Sequence, residues 1–318
     1  MRRILPLIFS LALLVGVVYA SDPAQVLNTV RSSNVAVIAL GVAAWFLGAT
    51  LRIWRWNFLL KHVGIRLPLR DVVSIFLAGF YLSNITPGKT GDPIRAVMLK
   101  RQHNESFSNA LPSVVVERLA DLSVMVILAS IGALFLPPVI DKSYVYMVVA
   151  VFIVVVLGLL FVLPSQKRTE RFLKTFHRVF SFIPKVRALE GRIDASSYKI
   201  SSSFASYKNG GVFLSVGAST LFIWLLEGAV VVLSFKAIGL SMPFWWAIVI
   251  LPIATLVGVL SFLPGGIGSS ELASVAFFVS IASVTPAQAT AAALIGRLMS
   301  YWLYVLAGSL VLARMKKL

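Results

Sequence analysis

The sequence predicts an all-α polytopic membrane bundle of about six spanning helices plus two re-entrant helical hairpins arranged as inverted repeats, and three observations lead there. Apolar residues make up 58% of the chain, charged residues only 13%, and the mean hydropathy is +0.91, well beyond the roughly 45–50% apolar content of soluble domains. Two apolar runs, 71 to 86 and 243 to 262, each end in a Pro-Gly break followed by a shorter helical stretch. The basic residues, finally, fit one topology better than its rival.

A spanning helix needs about 20 apolar residues, and six segments supply them: 4–20, 34–58, 108–136, 143–163, 212–237 and 287–313. The first follows Arg2 and Arg3 and has a second reading as a signal peptide cut after Ala20, although its apolar run is long for one. Cytoplasmic loops collect Lys and Arg. If both broken runs turn back, the N-terminus is inside, loop 21–33 with Arg31 is outside, and Lys61, Arg66 and Arg70 are inside, with Arg95, Lys100 and Arg101 at or near that face. Loop 137–142 is then outside, while 164–211, with ten Lys or Arg against three acids, lies inside with Arg314, Lys316 and Lys317. If both runs crossed, the ten-cation segment would lie outside. Eight plain, kinked spans are the rival arrangement, since positive-inside is a bias.

The expected organisation of 1–318 is therefore a single integral membrane domain. Residues 34–136 form a first repeat with hairpin 71–101, 164–211 a basic cytoplasmic connector, and 212–313 a second repeat with hairpin 243–283. The repeat shows in the breaks themselves. TPGKTGDPIRA, Thr86 to Ala96, and LPGGIGSSELA, Leu263 to Ala273, share P-G-x-x-G followed by a residue able to cap a helix. Arg118 lies 31 residues after Pro87 and Arg297 lies 33 after Pro264. Each hairpin follows a span carrying tryptophan and charge, Trp54 with Arg55 and Trp224 with Glu227. A chance match of a short pattern is the alternative. Inverted repeats around broken helices are a hallmark of secondary transporters, whose sites lie near the midplane between the repeats.

Backbone that is not helical cannot face lipid, so the breaks, with Pro87, Gly88 and Gly91 in one and Pro264, Gly265, Gly266 and Gly268 in the other, mark a protein interior or a wet cavity. A new helix is expected after each. Asp92 serves as cap with Pro93 at the first helical position, and Ser269 or Ser270 as cap with Glu271 in the first turn. Helix N-termini are ready anion sites, and two of them could hold a phosphate. Glu271 weakens the second for an anion, so it is expected to pair with an arginine or carry a proton. Inside the spans stand Glu117, Arg118, Asp121, Glu227 and Arg297, each costly at the bilayer centre unless paired or part of a pathway. Glu117, Arg118 and Asp121 can neutralise one another within one helix, whereas Glu227 and Arg297, with Tyr301 four residues on, need partners from elsewhere. The sharper reading is a polar cavity where Arg95, Arg118 and Arg297 face a phosphate, balanced by Asp92, Glu117, Asp121, Glu227 and Glu271. The plainer one is a set of structural ion pairs.

Between 166 and 187, Phe172, Phe176, Val179, Phe180 and Ile183 recur at helical intervals among Lys167, Arg168, Arg171, Lys174, Arg178, Lys185 and Arg187, the pattern of an interfacial amphipathic helix on an anionic leaflet. Trp54, Trp56, Trp245 and Trp246 read as an interface belt. No cysteine is present, and His62, His103 and His177 stand far apart, so no metal site and no cofactor are expected. The net charge of +17 in so apolar a chain points to orientation and anionic lipid, not to nucleic acid. No Walker loop, HExxH, GxSxG or nucleotide fingerprint occurs, and no enzymatic activity is expected.

Taken together and in this order, TPGKTGDPIRA, ERLADL, LPGGIGSSE and GRLMSYW resemble the flippase-like integral membrane family related to the transmembrane region of lysylphosphatidylglycerol synthases, over about Val35 to Val311. The resemblance implies a multi-pass, lipid-handling protein of the cytoplasmic membrane of a bacterium or archaeon. The charge pattern adds that both termini are cytoplasmic. Flipping of a charged lipid is the implied activity, with Asp92 and Arg95 at the family's break motif and its second carboxylate at Glu271. The synthases add a soluble aminoacyl-transferring domain, an activity not expected of this chain. Some relatives are attached to glycosyltransferases, which keeps isoprenoid-phosphate lipids beside phospholipids as substrates. The leading expectation is a flippase for an anionic or phosphate-bearing lipid. The alternatives are a non-catalytic lipid-binding partner of a separately encoded glycosyl- or aminoacyl-transferase and, more weakly, a membrane enzyme acting on lipid phosphate.

Overall fold

The computed structural model describes residues 5–86, 91–138, 142–163, 165–180, 198, 202–204, 206–207 and 209–315, and among them the regular structure is helical throughout. The helices are α1 (Leu5–Ala20), α2 (Pro23–Arg31), α3 (Val35–His62), α4 (Leu69–Asn84), α5 (Ile94–His103), α6 (Phe107–Ala133), α7 (Lys142–Val162), α8 (Gln166–Phe180), α9 (Gly210–Ala237), α10 (Phe244–Leu260), α11 (Ser269–Ala282) and α12 (Pro286–Arg297). A π-helical turn, Leu298–Trp302, then leads into α13 (Leu303–Arg314).

The apolar runs thus become helices close to their predicted limits. Among the described residues three helices, α3, α9 and the continuous run Pro286–Arg314, are long and apolar enough to cross a membrane. The charges Glu117, Arg118 and Asp121 interrupt the apolar run of α6, which is 27 residues long. Part of the expected outside loop 21–33 is instead helix α2, which bends away from α1 by 88°. Its start has a local cause: Asp22 Oδ1 accepts from the Ala24 and Gln25 amides at 3.1 and 3.3 Å, with Pro23 in the first turn. α2 lies against α12, where Thr290 Oγ1 donates to Ser21 Oγ at 2.8 Å, and α1 packs on α11 and α12.

The packing has an exchange symmetry. α3 lies along α9, α4 along α13, and α6 along α10. α4 also packs on α5 and α10 on α11, so each broken run lies beside the short helix that follows its break. Further contacts join α5 to α6, α11 to α12, α3 to α6 and α9 to α12. Swapping α3 with α9, α4 with α10, α5 with α11 and α6 with the last span maps these packings onto one another.

Trp56 departs from the expected interface belt. It is fully buried, and its indole N–H donates to Ser113 Oγ at 3.2 Å. Trp54 and Trp245 are exposed, as a belt requires. α8 carries Lys167, Arg168, Arg171, Lys174 and Arg178, while Ile183, Lys185 and Arg187 lie outside the described residues.

Candidate functional site

Ten charged side chains gather where the two halves of the bundle meet: Arg52, Arg55, Arg95, Arg118 and Arg297 with Asp92, Glu117, Asp121, Glu227 and Glu271. Five cations face five anions. Paired ions are the arrangement that a low-dielectric interior tolerates.

One group within this set is sealed. Arg55 and Glu117 are 0% exposed and Arg95 is 2% exposed. Arg95 Nη2 lies 2.6 Å from Glu117 Oε2, and Arg55 Nη2 donates to Glu117 Oε1 at 3.3 Å. Arg55 Nη1 donates to Asp121 Oδ1 at 2.9 Å and to Thr220 Oγ1 at 2.6 Å. The Arg95 guanidinium also sits 5.1 Å from the ring centres of Trp56 and Phe76. Glu117 is therefore neutralised by α3 and α5, and not by Arg118 within its own helix.

The remaining charges line a cavity of about 450 Å³, a volume within the roughly 300–1,000 Å³ of small-molecule sites. Asp92, Arg118 and Asp121 come from the first half, Glu227, Glu271 and Arg297 from the second, and Arg52 joins them from α3. Arg95 and Glu117 are not among its lining residues, so two residues expected at the headgroup stand behind the wall. The lining also has an apolar part, with Leu122, Met125 and Phe152 together with Leu251, Leu256, Val259 and Leu260.

Each cavity arginine has a carboxylate within reach. Arg52 Nη2 donates to Glu227 Oε1 at 2.9 Å. Arg118 lies 3.4 Å from Asp92 and 3.3 Å from Asp121. Arg297 Nε donates to Glu271 Oε1 at 2.6 Å, and its Nη2 reaches Ser270 Oγ and the Gly265 and Gly266 carbonyls. Tyr301 stacks under the same guanidinium at 4.5 Å. The π-helical turn that carries Tyr301 begins directly after Arg297, a distortion that often accompanies functional positions.

The breaks are built differently from expectation at their caps. After the second, the cap is Gly268, φ +84°, not Ser269 or Ser270, and Glu271 Oε2 accepts the Gly268 amide at 2.8 Å. Gly265 and Gly266 also have positive φ, +60° and +63°, and a Cβ on Gly266 would stand 2.7 Å from the Gly258 Cα. Only glycine lets the chain turn so close to α10. Pro264 opens this turn, its carbonyl accepting from the Ile267 amide at 3.2 Å. After the first break the residue at the cap is Pro93. Asp92 accepts instead from Ser83 Oγ at 2.6 Å, which turns its carboxylate back towards α4. Gly91 donates its amide to Thr86 Oγ1 at 2.8 Å, whereas Pro87 and Gly88 lie outside the described residues.

Sequence reasoning overlooked Arg52 as a site residue and used Arg55 only as a repeat marker. The signal is present: the two stand three apart, on one face of a predicted span. Among the described residues, no group of His, Cys, Asp and Glu is placed to hold a metal.

Comparison with known proteins gives the same kind of molecule. Residues 4–308 match the family described as the lysylphosphatidylglycerol synthase TM region. A UPF0104 membrane protein of Methanothermobacter thermautotrophicus is 24% identical over 93% of this chain and 90% of its own length. Another, from Pyrococcus horikoshii, is 22% identical over 100% of this chain and 98% of its own. Glycosyltransferase AglD of Haloferax volcanii is 26% identical over 86% of this chain but only 48% of AglD.

Proposed function

The chain belongs to the lysylphosphatidylglycerol synthase TM-region family, a membrane-embedded multi-pass protein, and from that premise we propose that it is a lipid flippase moving an anionic or phosphate-bearing lipid, of phospholipid or isoprenoid-phosphate type. The observation that carries this is the cavity between the halves, whose charged floor of Arg52, Arg118 and Arg297 with their carboxylates adjoins an apolar flank from α6, α7 and α10. A headgroup suits the first and a chain the second. Leu260 on that flank is 64% exposed, and a lipid tail would lie along it.

The two halves are read as inverted repeats, each with a re-entrant hairpin, rocking against each other to alternate access. Their exchangeable packing supports this. The protein is placed in the cytoplasmic membrane with both termini inside, on the strength of its basic segments, and it is read as a carrier rather than an enzyme. The test is purified protein in phosphatidylcholine vesicles with acyl-labelled phosphatidylglycerol, scoring access of the label to an impermeant quencher. Translocation faster than in protein-free vesicles is expected, and rates no faster than in protein-free vesicles for both phosphatidylglycerol and a labelled polyprenyl phosphate would overturn the reading.

A second reading is favoured by one observation, the likeness to glycosyltransferase AglD, of which the matching region is about half. In that reading the chain binds a lipid and presents it to a separately encoded transferase. Lipid binding without translocation, together with stimulation of such a transferase in trans, would decide for it.

A further inference from the structure

This inference rests on the reading of the cavity as a site for an anionic headgroup. Arg52, Arg118 and Arg297 are all paired with carboxylates, so a phosphate has to take one of them from its partner. The pairs are not held alike. Glu271 has both oxygens occupied, Oε1 by Arg297 and Oε2 by the Gly268 amide and the Ser270 hydroxyl. Asp121 accepts from both Arg55 and the Trp224 indole. Glu227 accepts from Arg52 on Oε1 alone, and among the described residues its Oε2 accepts no hydrogen bond. Its side chain is 20% exposed. Glu227 is also the one carboxylate, among the described residues, lining both the main cavity and a smaller one of about 80 Å³, whose polar wall is Ser234, Ser274, Ser300 and Arg297.

We propose that Glu227 is the protonation site of this protein and that its protonation frees Arg52 for the headgroup phosphate, so that a proton and an anionic lipid enter the cavity together. The step balances simply. Hydronium gives its proton to the Glu227 carboxylate and leaves water, and the neutral acid no longer holds Arg52 by charge. The Arg52 Nη2 hydrogen bond then passes to a phosphate oxygen. The ten clustered charges balance, five against five, and one proton adds the positive charge that offsets a negative headgroup as it arrives.

The surroundings fit this assignment. Of the elements packed on α9, α3 brings Arg52 and Arg55, α6 brings Glu117, Arg118 and Asp121, and α12 brings Arg297. The π-helical turn adds Tyr301, Tyr304 follows it, and α10 has no titratable side chain. Arg55 and Glu117 are spent on each other and on Asp121 and Arg95, which leaves Arg52 as the one cation bonded to Glu227 among the described residues. The pair also bridges α3 and α9, the two helices exchanged by the packing symmetry, so its opening loosens the seam between the halves.

The experiment uses the full chain in phosphatidylcholine vesicles containing labelled phosphatidylglycerol, with two readouts. Infrared difference spectra against pH follow the C=O band of protonated carboxyls, and quenching follows translocation. Wild type is expected to show a titrating band absent from Glu227→Gln, and translocation that rises by up to about tenfold per pH unit lowered, the limit for one linked proton. Glu227→Gln should be pH-independent. An unchanged band in Glu227→Gln, or the same pH slope in both proteins, overturns the proposal. Should Glu227→Gln fail to fold, Glu227→Asp keeps a carboxyl and must shift the band's midpoint; an unmoved midpoint also overturns it. A band lost in Glu227→Gln without translocation in wild type would sustain the protonation site and sink the flippase reading.

Discussion

Arg297 donates from Nε to Glu271 Oε1 at 2.6 Å, tying the last span to the first turn of the helix after the second break. Arg118 stands in the same relation to the first break, 3.4 Å from Asp92. The two arginines matched by spacing in the sequence thus each reach the carboxylate just beyond their own break.

Removing Arg297 should therefore act on stability as well as on lipid. Glu271 is buried, and a buried carboxylate that loses its cation costs about 3–5 kcal/mol. Arg297→Ala is expected to lower the Tm in detergent sharply. The double variant Arg297→Gln with Glu271→Gln should recover part of the loss, since no orphan charge remains, and a double-mutant cycle of thermal unfolding checks it.

Glu117 gives the contrasting case. It neutralises Arg55 and Arg95 behind the cavity wall, so Glu117→Gln should cost about 3–5 kcal/mol while leaving lipid binding by the remaining folded protein near the wild-type affinity. Unfolding curves and lipid titration of the same sample separate the two effects. A large loss of affinity at unchanged stability would place Glu117 in the site instead.

The turn of the second break should not tolerate a side chain. Gly266→Ala meets both a left-handed backbone, about 1–2 kcal/mol for an L-residue, and the Gly258 backbone at 2.7 Å. Gly239 has φ +78° with nothing within 4 Å of its Cβ position. Gly239→Ala should accordingly cost only the conformational part, and a comparison of the two Tm values tests the role of close approach.

Membrane orientation is open to labelling. The proposed topology puts 164–211 inside and 137–142 outside, so an impermeant maleimide should modify Ile140→Cys from outside intact cells and Phe172→Cys only after permeabilisation. The chain has no native cysteine to interfere. Labelling of position 140 from the cytoplasm would reverse the arrangement.

Much of the fold was legible because its cause is local. Apolar runs of spanning length need no tertiary information to become helices, and α3, α6, α7 and α9 begin and end within a few residues of the expected limits. Part of the loop expected at 21–33 is helix instead, because the Asp22 side chain caps it and Pro23 stands in its first turn. Site residues were legible as a class, since an intramembrane charge is costly wherever it stands. Their partners were not. Glu117 and Arg118 are neighbours in sequence, yet Glu117 points to Arg55 and Arg95 while Arg118 faces the cavity.

What the sequence determined by itself was therefore the inventory: the helices, the two breaks, and the charges that demanded partners, because hydrophobic length, glycine conformation and the cost of a bare charge are properties of residues. The tertiary structure decided who pairs with whom. Arg52 and Glu227 are 175 positions apart, and only the packing of α3 along α9 brings them to 2.9 Å. A charge announces its need of a partner through its own desolvation, but the partner is chosen by which helices lie side by side, and that is set by the shape of the whole bundle.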